Sequence, residues 1–182
     1  MRYFKKMVGQ RIYLSPMSVD DAEQYAAWLN DVEVAGYLGP VYTRALSLAA
    51  EREYLEGPAQ QGQNYAIVLK EGDKLIGNIS LMDVDHRNRS ATLGLFIGDA
   101  EYRSKGFGAE AIRLIVDYGF RWLNLHNIDL HVFANNPRAI ACYEKVGFRE
   151  YGRRTEDSFM GGEYVDSLGM EILPHLFYKE GE

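Results

Sequence analysis

The sequence predicts an α/β (α+β) domain in which helices flank a β-sheet. Strand-like apolar runs alternate with segments of helical periodicity, in the order β-α-α-β-β-β-α-β-α-β-β. A hairpin turn from Glu71 to Lys74 joins two of the strands, and a glycine-rich turn joins another strand to a helix. The length of 182 residues and the hydrophobic content of 47% suit one core, so we assign residues 1–182 to a single domain.

The first half of the chain carries the signals for two helices and four strands. The predicted elements are a strand at Ile12 to Leu14, helices from Ser18 to about Asn30 and from Thr43 to about Leu55, and strands at Asn64 to Leu69, Leu75 to Val84 and Ser90 to Ile97. Ser18 and Thr43 are residue types that cap helix N-termini, and Gly57-Pro58 is a typical helix end.

The second half alternates helices with strands. The predicted elements are a helix over Ile112 to Leu123, a strand at Ile128 to Phe133, a helix at Arg138 to Lys145, and strands near Phe148 to Phe159 and Glu163 to Ile172. A chain that alternates in this way packs its helices on the faces of one sheet, because each helix must bury its apolar side.

Composition and charge argue against several kinds of partner. The 26 acidic and 20 basic residues give a net charge of −6, which argues against a nucleic-acid partner and mildly favours a cationic substrate. No apolar run is long enough to cross a bilayer and the N-terminus lacks an apolar signal segment, so we expect a cytoplasmic protein with no membrane partner. Cys142 is the single cysteine and the four histidines show no ligand spacing, so we expect neither a disulfide nor a metal site.

A glycine-rich turn, Tyr102 to Ala111, lies between a predicted strand and a predicted helix. In it, Arg103 and Lys105 stand beside Gly106 and Gly108. Free N–H groups and the positive end of the helix dipole converge at such a turn, and glycine lets a ligand approach the backbone closely. The turn therefore predicts an anion site with a diphosphate as the ligand. A tight connection with glycines for steric reasons alone is the alternative.

A second motif follows the strand at Ile128 to Phe133. Asn136 to Phe148 has the pattern Asn-x-x-Ala-x-x-x-Tyr-x-x-x-Gly-Phe, and the turn has the pattern Arg-x-x-Gly-x-Gly. Together they resemble the GNAT superfamily of acetyl-CoA-dependent N-acetyltransferases, in its RimJ/RimL-type branch. Further similar segments are Arg11 to Pro16, Asp20-Asp21, Trp28 to Asp31 and Gly162 to Asp166. The resemblance covers nearly the whole chain and implies the GNAT fold, with a mixed, mostly antiparallel central sheet.

The resemblance also implies acetyl-CoA as co-substrate and assigns the residues that hold it. The backbone N–H groups expected to bind its diphosphate belong to Ser104, Gly106, Phe107 and Gly108, with Arg103 and Lys105 balancing charge. Gly108 and Ala109 are expected to begin the helix, with Glu110 as an exposed acid in its first turn. Leu95, Phe96 and Ile97 are expected to pair with the pantetheine arm, because in the family this strand splays from its neighbour.

Tyr143 matches the family tyrosine that donates a proton to the departing thiolate. A thiol with a pKa near 8.5 needs only partial protonation at neutral pH, so a phenol with a pKa of about 10 is an adequate donor. A core aromatic residue is the alternative for Tyr143. Asn136 matches the family asparagine that contacts the pantetheine or caps the helix, and a plain N-cap before Pro137 is equally compatible.

The general base is where the sequence departs from the family pattern. Many members of the branch have a glutamate where this chain has Thr92, and a threonine cannot act as a base at neutral pH. The nearest candidates are Asp83 and Asp85, with His86 beside them. Solvated turn residues are the alternative for all three.

The function predicted from the resemblance is direct acetyl transfer to a primary amine. The acceptor is a polyamine or other small amine, or a protein N-terminal amine, and a non-catalytic acyl-CoA-binding sensor is the alternative function. A polyamine favours acidic residues at the acceptor mouth, and the acids in the segment expected to form it are Glu23, Asp31, Glu33, Glu51 and Glu53. A homodimer is possible, since edge strands near the C-terminus often pair between subunits in this superfamily.

Overall fold

The computed structural model describes residues 2–39 and 44–178, which contain one eight-stranded sheet with helices on both faces. The strands are β1 (Met7–Val8), β2 (Ile12–Pro16), β3 (Gln63–Leu69), β4 (Leu75–Asp85), β5 (Ser90–Ile97), β6 (Asn127–Phe133), β7 (Arg149–Met160) and β8 (Glu163–Ile172). The helices are α1 (Ala22–Leu29), α2 (Val32–Ala35), α3 (Leu48–Glu56), α4 (Phe107–Arg121), α5 (Pro137–Val146) and α6 (Pro174–Phe177). The predicted α/β class and element order are therefore confirmed, with three short additions, β1, α2 and α6.

One predicted helix start is wrong. The sequence predicted that the second helix begins with Thr43 as its N-cap, and Thr43 lies outside the described residues. The observed helix α3 begins at Leu48. Ser47 is the N-cap, because its hydroxyl accepts a hydrogen bond from the backbone N–H of Ala50 at 3.1 Å. Serine and threonine cap helices by the same bond, so only the conformation of the chain distinguishes the two sites.

The sheet is mixed and mostly antiparallel, as expected. The strand order is β1-β2-β3-β4-β5-β6-β8-β7, and among these neighbours only β5 and β6 run parallel. The last two strands form a hairpin in which β7 lies at the edge. β5 and β6 are neighbours in the sheet and are joined by a crossover that contains α4, as parallel pairing requires.

Two apolar cores lie on opposite faces of the sheet, and β3 shows why. Ala66 and Val68 pack in one cluster with α1 and α3, whereas Tyr65 and Ile67 pack in the other with α4 and α5. Successive side chains of a strand point to opposite faces, so a strand covered on both sides is buried along its whole length. The sheet is thus sandwiched between two helical layers.

The parallel pair β5 and β6 separates after a short contact. Residues Ser90, Ala91 and Thr92 pair with 127–129, and no pairing is recorded between β6 and the rest of β5. The segment from Leu93 to Ile97 continues to pair with β4 on its other side. The separation leaves one backbone edge of β5 open inside the protein, which matches the expected splay.

Glu110 is not the exposed acid that its position in the helix predicted. Its carboxylate accepts hydrogen bonds from the backbone N–H groups of Arg11 and Ile12 at 2.8 and 3.3 Å, and from Nε of Arg11 at 3.0 Å. These bonds hold the pKa of Glu110 below its ordinary value against the opposing effect of its partial burial. The acid therefore ties the β1–β2 turn to the first turn of α4, a contact between residues about a hundred positions apart that local patterns do not reveal.

We predict that Gly98→Ala destabilises the fold. A methyl group at this position would lie 2.5 Å from ring atoms Cε2 and Cε3 of Trp28. Trp28 is buried and packs edge-on against Tyr25 and Phe96, so the indole cannot move aside. Overpacking of this kind costs about 1–3 kcal/mol, which thermal unfolding would show as a lower Tm.

Gly152→Ala is the matched control for that measurement. Gly152 lies in β7, and no atom lies within 4 Å of a Cβ added there. Alanine in a strand interior is neutral or slightly favourable relative to glycine, so the Tm of this variant should stay level or rise. Equal Tm values for the two variants would contradict the packing of Trp28 against residue 98.

Candidate active site

A single large cleft of about 1510 Å³ holds most of the predicted site. It is lined by residues of α1 and α3, of the open strand β5, of the turn before α4, of α5 and of the β7–β8 hairpin. All predicted site residues line it except Asp85, Lys105 and Phe107. The two motifs therefore lie on one cleft, as the resemblance implied.

The turn before α4 presents a row of free backbone donors. Ser104 and Gly106 have left-handed φ values of 59° and 83°, and Gly106 is the N-cap of α4, which begins at Phe107. None of the described residues accepts a hydrogen bond from the N–H groups of residues 104–109. Left-handed residues curve the backbone into a concave nest of donors at the positive end of a 15-residue helix, so the turn suits a diphosphate.

Arg103 fastens the turn to the end of β5. Its Nε and Nη2 atoms donate hydrogen bonds to the carbonyl oxygens of Ile97 and Gly98 at 3.0 and 2.8 Å. The side chain thus positions the turn and occupies the Ile97 carbonyl, a role that the sequence did not suggest. The charge-balancing role predicted for Arg103 stays a prediction.

The side chains of Lys105 and Phe107 lie outside the cleft. The Lys105 ammonium lies 5.9 Å from the centroid of the Tyr102 ring, and its carbonyl accepts a hydrogen bond from Nη1 of Arg11 at 2.9 Å. Phe107 is buried under the Arg11 guanidinium, which lies 4.1 Å from the ring centroid. Arg11 therefore braces the donor turn from behind. Sequence reasoning missed this function because Arg11 is 94 residues from Lys105.

The two faces of β5 serve different sides of the cleft. Leu95 and Ile97 pack toward the core that contains α4, whereas Phe96 packs with Tyr25 and Trp28 of α1. All three residues lie in the section of β5 that does not pair with β6. An extended ligand could therefore pair with this edge as an added strand does.

Tyr143 is both a core residue and a cleft residue. It is 8% exposed, and its ring packs 5.9 Å from that of Phe148. Burial, with a smaller effect of Cys142, raises the pKa of the Tyr143 phenol above its ordinary value. The hydroxyl therefore stays protonated at neutral and mildly alkaline pH, as a proton donor must.

Asn136 caps α5. Its Oδ1 accepts a hydrogen bond from the backbone N–H of Ala139 at 3.2 Å, and Pro137 is the first residue of the helix. The cap interpretation is confirmed. Because Asn136 also lines the cleft, a contact with a bound pantetheine stays a prediction.

The two aspartates suggested as bases differ in position. The Asp85 carboxylate accepts hydrogen bonds from the backbone N–H groups of Asn88 and Arg87 and from Nδ2 of Asn88, at 2.9, 2.8 and 2.6 Å. These bonds, with those from Asn88 dominant, lower the pKa of Asp85 and close the β4–β5 turn. Asp85 is a turn residue outside the cleft, which corrects its prediction as a base. Asp83 is exposed at the irregular end of β4, has a φ of 51° and lines the cleft.

The acids expected at the acceptor mouth also separate into two groups. Only Glu33 and Glu51 line the cleft, whereas Glu23, Asp31 and Glu53 do not. Glu51 is 3% exposed, and burial raises its pKa to about 7. The sequence grouped Glu51 with four other acids of the segment expected at the acceptor mouth and gave no sign that it alone is buried.

Comparison with known proteins decides the family. Residues 11–149 match the model of the acetyltransferase (GNAT) domain, which covers both motifs. The chain belongs to the GNAT acetyltransferase family. It is an acyltransferase that uses acetyl-CoA as acetyl donor and an amine as acceptor. The free N–H groups of the turn before α4 fit the diphosphate of acetyl-CoA.

The individual relatives of this acetyltransferase have different names. It is 34% identical over 145 residues to a spermidine N(1)-acetyltransferase of Vibrio cholerae serotype O1, covering 80% of this chain and 76% of that protein. A crystal structure of spermidine N-acetyltransferase from Vibrio cholerae in complex with CoA and spermine has a TM-score of 0.81 at 29% identity, covering 92% of this chain and 98% of that one. A putative ribosomal N-acetyltransferase of Bacillus subtilis is 31% identical over 108 residues, covering 59% of this chain and 57% of that protein.

The described residues contain neither a group of metal ligands nor a membrane-spanning helix. Within ranges 2–39 and 44–178, no three histidine, cysteine or acidic side chains are grouped as metal ligands would be. In the same part of the acetyltransferase, every helix is too short or too polar to span a membrane.

Proposed function

We propose that this acetyltransferase moves the acetyl group of acetyl-CoA to a primary amino group of a small polyamine, by direct transfer in a ternary complex. One observation carries the proposal: the open edge of β5, the donor-lined turn and Tyr143 all face the same cleft. The likeness to spermidine acetyltransferases supports a polyamine, and the net charge of −6 favours a cationic acceptor.

In this proposal the residues of the chain act in three places. The N–H groups of residues 104–109 hold the diphosphate, and the open edge of β5 at Leu95 and Phe96 orients the pantetheine arm and the thioester. The neutral amine attacks the thioester carbon, the C–S bond breaks, and Tyr143 gives a proton to the thiolate. The proton that the amine nitrogen loses passes to solvent and restores the phenol of Tyr143. Cys142 takes no covalent part, because burial raises the pKa of its thiol and keeps it protonated.

A protein N-terminal amine is the second candidate acceptor. The RimJ/RimL-type branch includes enzymes of that kind, and the match to a putative ribosomal acetyltransferase supports it. That match covers a smaller share of the chain than the spermidine enzymes do, and Thr92 replaces the glutamate common in the branch. For these two reasons we favour the small amine as acceptor, and membership of the RimJ/RimL-type branch stays part of the proposal.

The test is thiol release from acetyl-CoA with a panel of acceptors. The panel contains spermidine, spermine, peptides that begin with Ala or Ser, aminoglycosides and free amino acids. We expect release that depends on the polyamines and is at least tenfold slower with the peptides, a difference of about 1.4 kcal/mol in transition-state stabilisation. Release with peptides alone would replace the polyamine by a protein N-terminus, and silence with every acceptor would revive the sensor function.

Three further expectations belong to this proposal. The catalytic unit is the whole of residues 1–182 as one domain.

Two copies associate through the exposed edge strand β7, which sedimentation would show as a dimer. The reaction takes place in the cytoplasm, because a single unpaired cysteine suits a reducing compartment.

A further inference from the structure

A carboxylic acid is buried at the cleft without a partner. Glu51 on α3 is 3% exposed, and its side chain lines the cleft. No described residue forms an ion pair or a side-chain hydrogen bond with it, and burial is the sole cause that raises its pKa, to about 7. Buried carboxylates are rare in proteins unless a cation or a set of donors compensates them. The missing compensation indicates a cationic ligand.

A second buried polar group without a described partner belongs to another residue that lines the same cleft. The hydroxyl oxygen of Tyr25 on α1 is buried and has no hydrogen-bond partner among the described residues. Glu51, Tyr25 and Tyr54 all line the cleft, and after burial the charge of Glu51 is among the causes that raise the pKa of both phenols. A buried hydroxyl that bonds to nothing is destabilising, and it too indicates an absent donor or acceptor.

These two groups lie next to the proposed reaction centre. The ring of Tyr25 packs against Phe96, with 6.4 Å between the centroids, and Phe96 lies in the open section of β5. Glu51 and Tyr25 are therefore on the α1–α3 side of the strand that is proposed to hold the thioester, while the donor turn leads into α4 on the other face.

We propose that Glu51 and the hydroxyl of Tyr25 form a buried subsite that binds an ammonium group of the acceptor amine. The inference rests on the proposed function and identifies the residues that select a cationic acceptor. An ammonium has three N–H donors, enough for the carboxylate and the phenolic oxygen together. Its positive charge compensates the buried carboxylate, which no described cation does.

Binding at this subsite is coupled to a proton. The ionisable groups around the subsite are the phenols of Tyr25 and Tyr54, and Glu33 and Arg44 line the same cleft. Asp21 and Tyr3 also act on Tyr25, each more strongly than Glu51 does. Because the carboxylate is the form that binds a cation, affinity for the amine should fall as the pH drops through about 7. At pH 7, amine binding should release protons from Glu51.

The same acid affects stability with a defined sign. Its pKa is raised in the folded chain, so the folded state binds more protons than the unfolded state between about pH 4.3 and pH 7. Stability contributed by the protonated acid is lost as the pH rises through about 7. Glu51→Gln removes this loss, so the variant should exceed the wild type in Tm by more at pH 8 than at pH 5.

The experiment is calorimetric titration of spermidine, as probe, into the CoA-bound protein in buffers of different ionisation enthalpy. We compare the wild type with Glu51→Gln, Tyr25→Phe and Glu53→Gln; Glu53 lies on the same helix, is exposed and does not line the cleft. Glu51→Gln should weaken spermidine binding at least tenfold at pH 8 and abolish proton release, with unchanged affinity for CoA. Tyr25→Phe should weaken binding severalfold without a lower Tm, and Glu53→Gln should match the wild type.

Wild-type spermidine affinity in Glu51→Gln would overturn the subsite, and so would a lower Tm at pH 8, since that identifies Glu51 as a structural residue. Failure of the proposed function gives a different result. In that case no acceptor would stimulate thiol release from acetyl-CoA by the wild type, yet proton-linked spermidine binding that depends on Glu51 would still be measurable.

Discussion

Tyr143→Phe should lower kcat about a hundredfold while the affinity for acetyl-CoA changes little. General acid catalysis by a positioned side chain contributes about 10²–10⁴-fold, and a thiolate that needs only partial protonation at neutral pH places this site at the lower end. The substitution removes one oxygen atom and keeps the ring against Phe148, so the fold is retained. Steady-state kinetics with acetyl-CoA and the best acceptor of the panel measure the effect.

The matched control is Tyr164→Phe. Tyr164 is 65% exposed on β8 and does not line the cleft, so the loss of its hydroxyl should leave kcat unchanged. The raised pKa of Tyr143 adds a pH test, since the donor stays protonated and kcat should not decline through pH 10 from its titration. A Tyr143→Phe enzyme with full kcat would leave Tyr143 as a core aromatic residue only.

Gly108→Ala should lower the affinity for acetyl-CoA about ten- to a hundredfold without destabilising the fold. A Cβ at this position would lie 3.5 Å from Sγ of Cys142 and 3.5 Å from Cδ2 of Leu95, both ordinary contacts. It would thus stand between β5 and α5, where the pantetheine arm is proposed to pass. A steric cost of about 1–3 kcal/mol to the bound state corresponds to this loss of affinity.

Thermal unfolding separates this effect from damage to the protein. Gly108 lies in the first turn of α4, where alanine is the better helix former, so the Tm of the free variant should stay level or rise. The upward shift of Tm on adding acetyl-CoA should shrink in Gly108→Ala and persist in Gly152→Ala. An undiminished shift would place the cofactor elsewhere in the cleft.

Much of the fold could be predicted because its signals are local. The strands at Ser90 to Ile97 and Glu163 to Ile172 have the predicted bounds, since alternation and flanking turn residues define both ends. The helix cap at Asn136 was predicted for the same reason, because a cap bond spans three residues. Thr43 and Ser47 show the limit, as two equivalent cap residues stand close together and only the path of the chain selects one.

The candidate site likewise has some features that local motifs predict and others that depend on distant parts of the chain. The donor turn and Tyr143 are recognisable from motifs of about a dozen residues, and both were predicted to act on acetyl-CoA. The role of Arg11 depends on a distant segment, so no motif contains it, and the separation of β5 from β6 was expected only from the family resemblance. Asp85 was suggested as a base from its place in the chain. Its carboxylate instead accepts three hydrogen bonds that close the β4–β5 turn, so it is a turn residue.

The α/β class, the order of the major elements, the glycine-rich turn and the tyrosine on α5 are all readable from the chain, because periodicity, caps and turns act over a few residues. Which acid lies inside the cleft is not readable in this way. Glu51 and Glu53 are two positions apart on one helix, yet one is buried at the cleft and the other is exposed. Burial is set by what other elements bring to a helix face, and burial is what raises the pKa of Glu51.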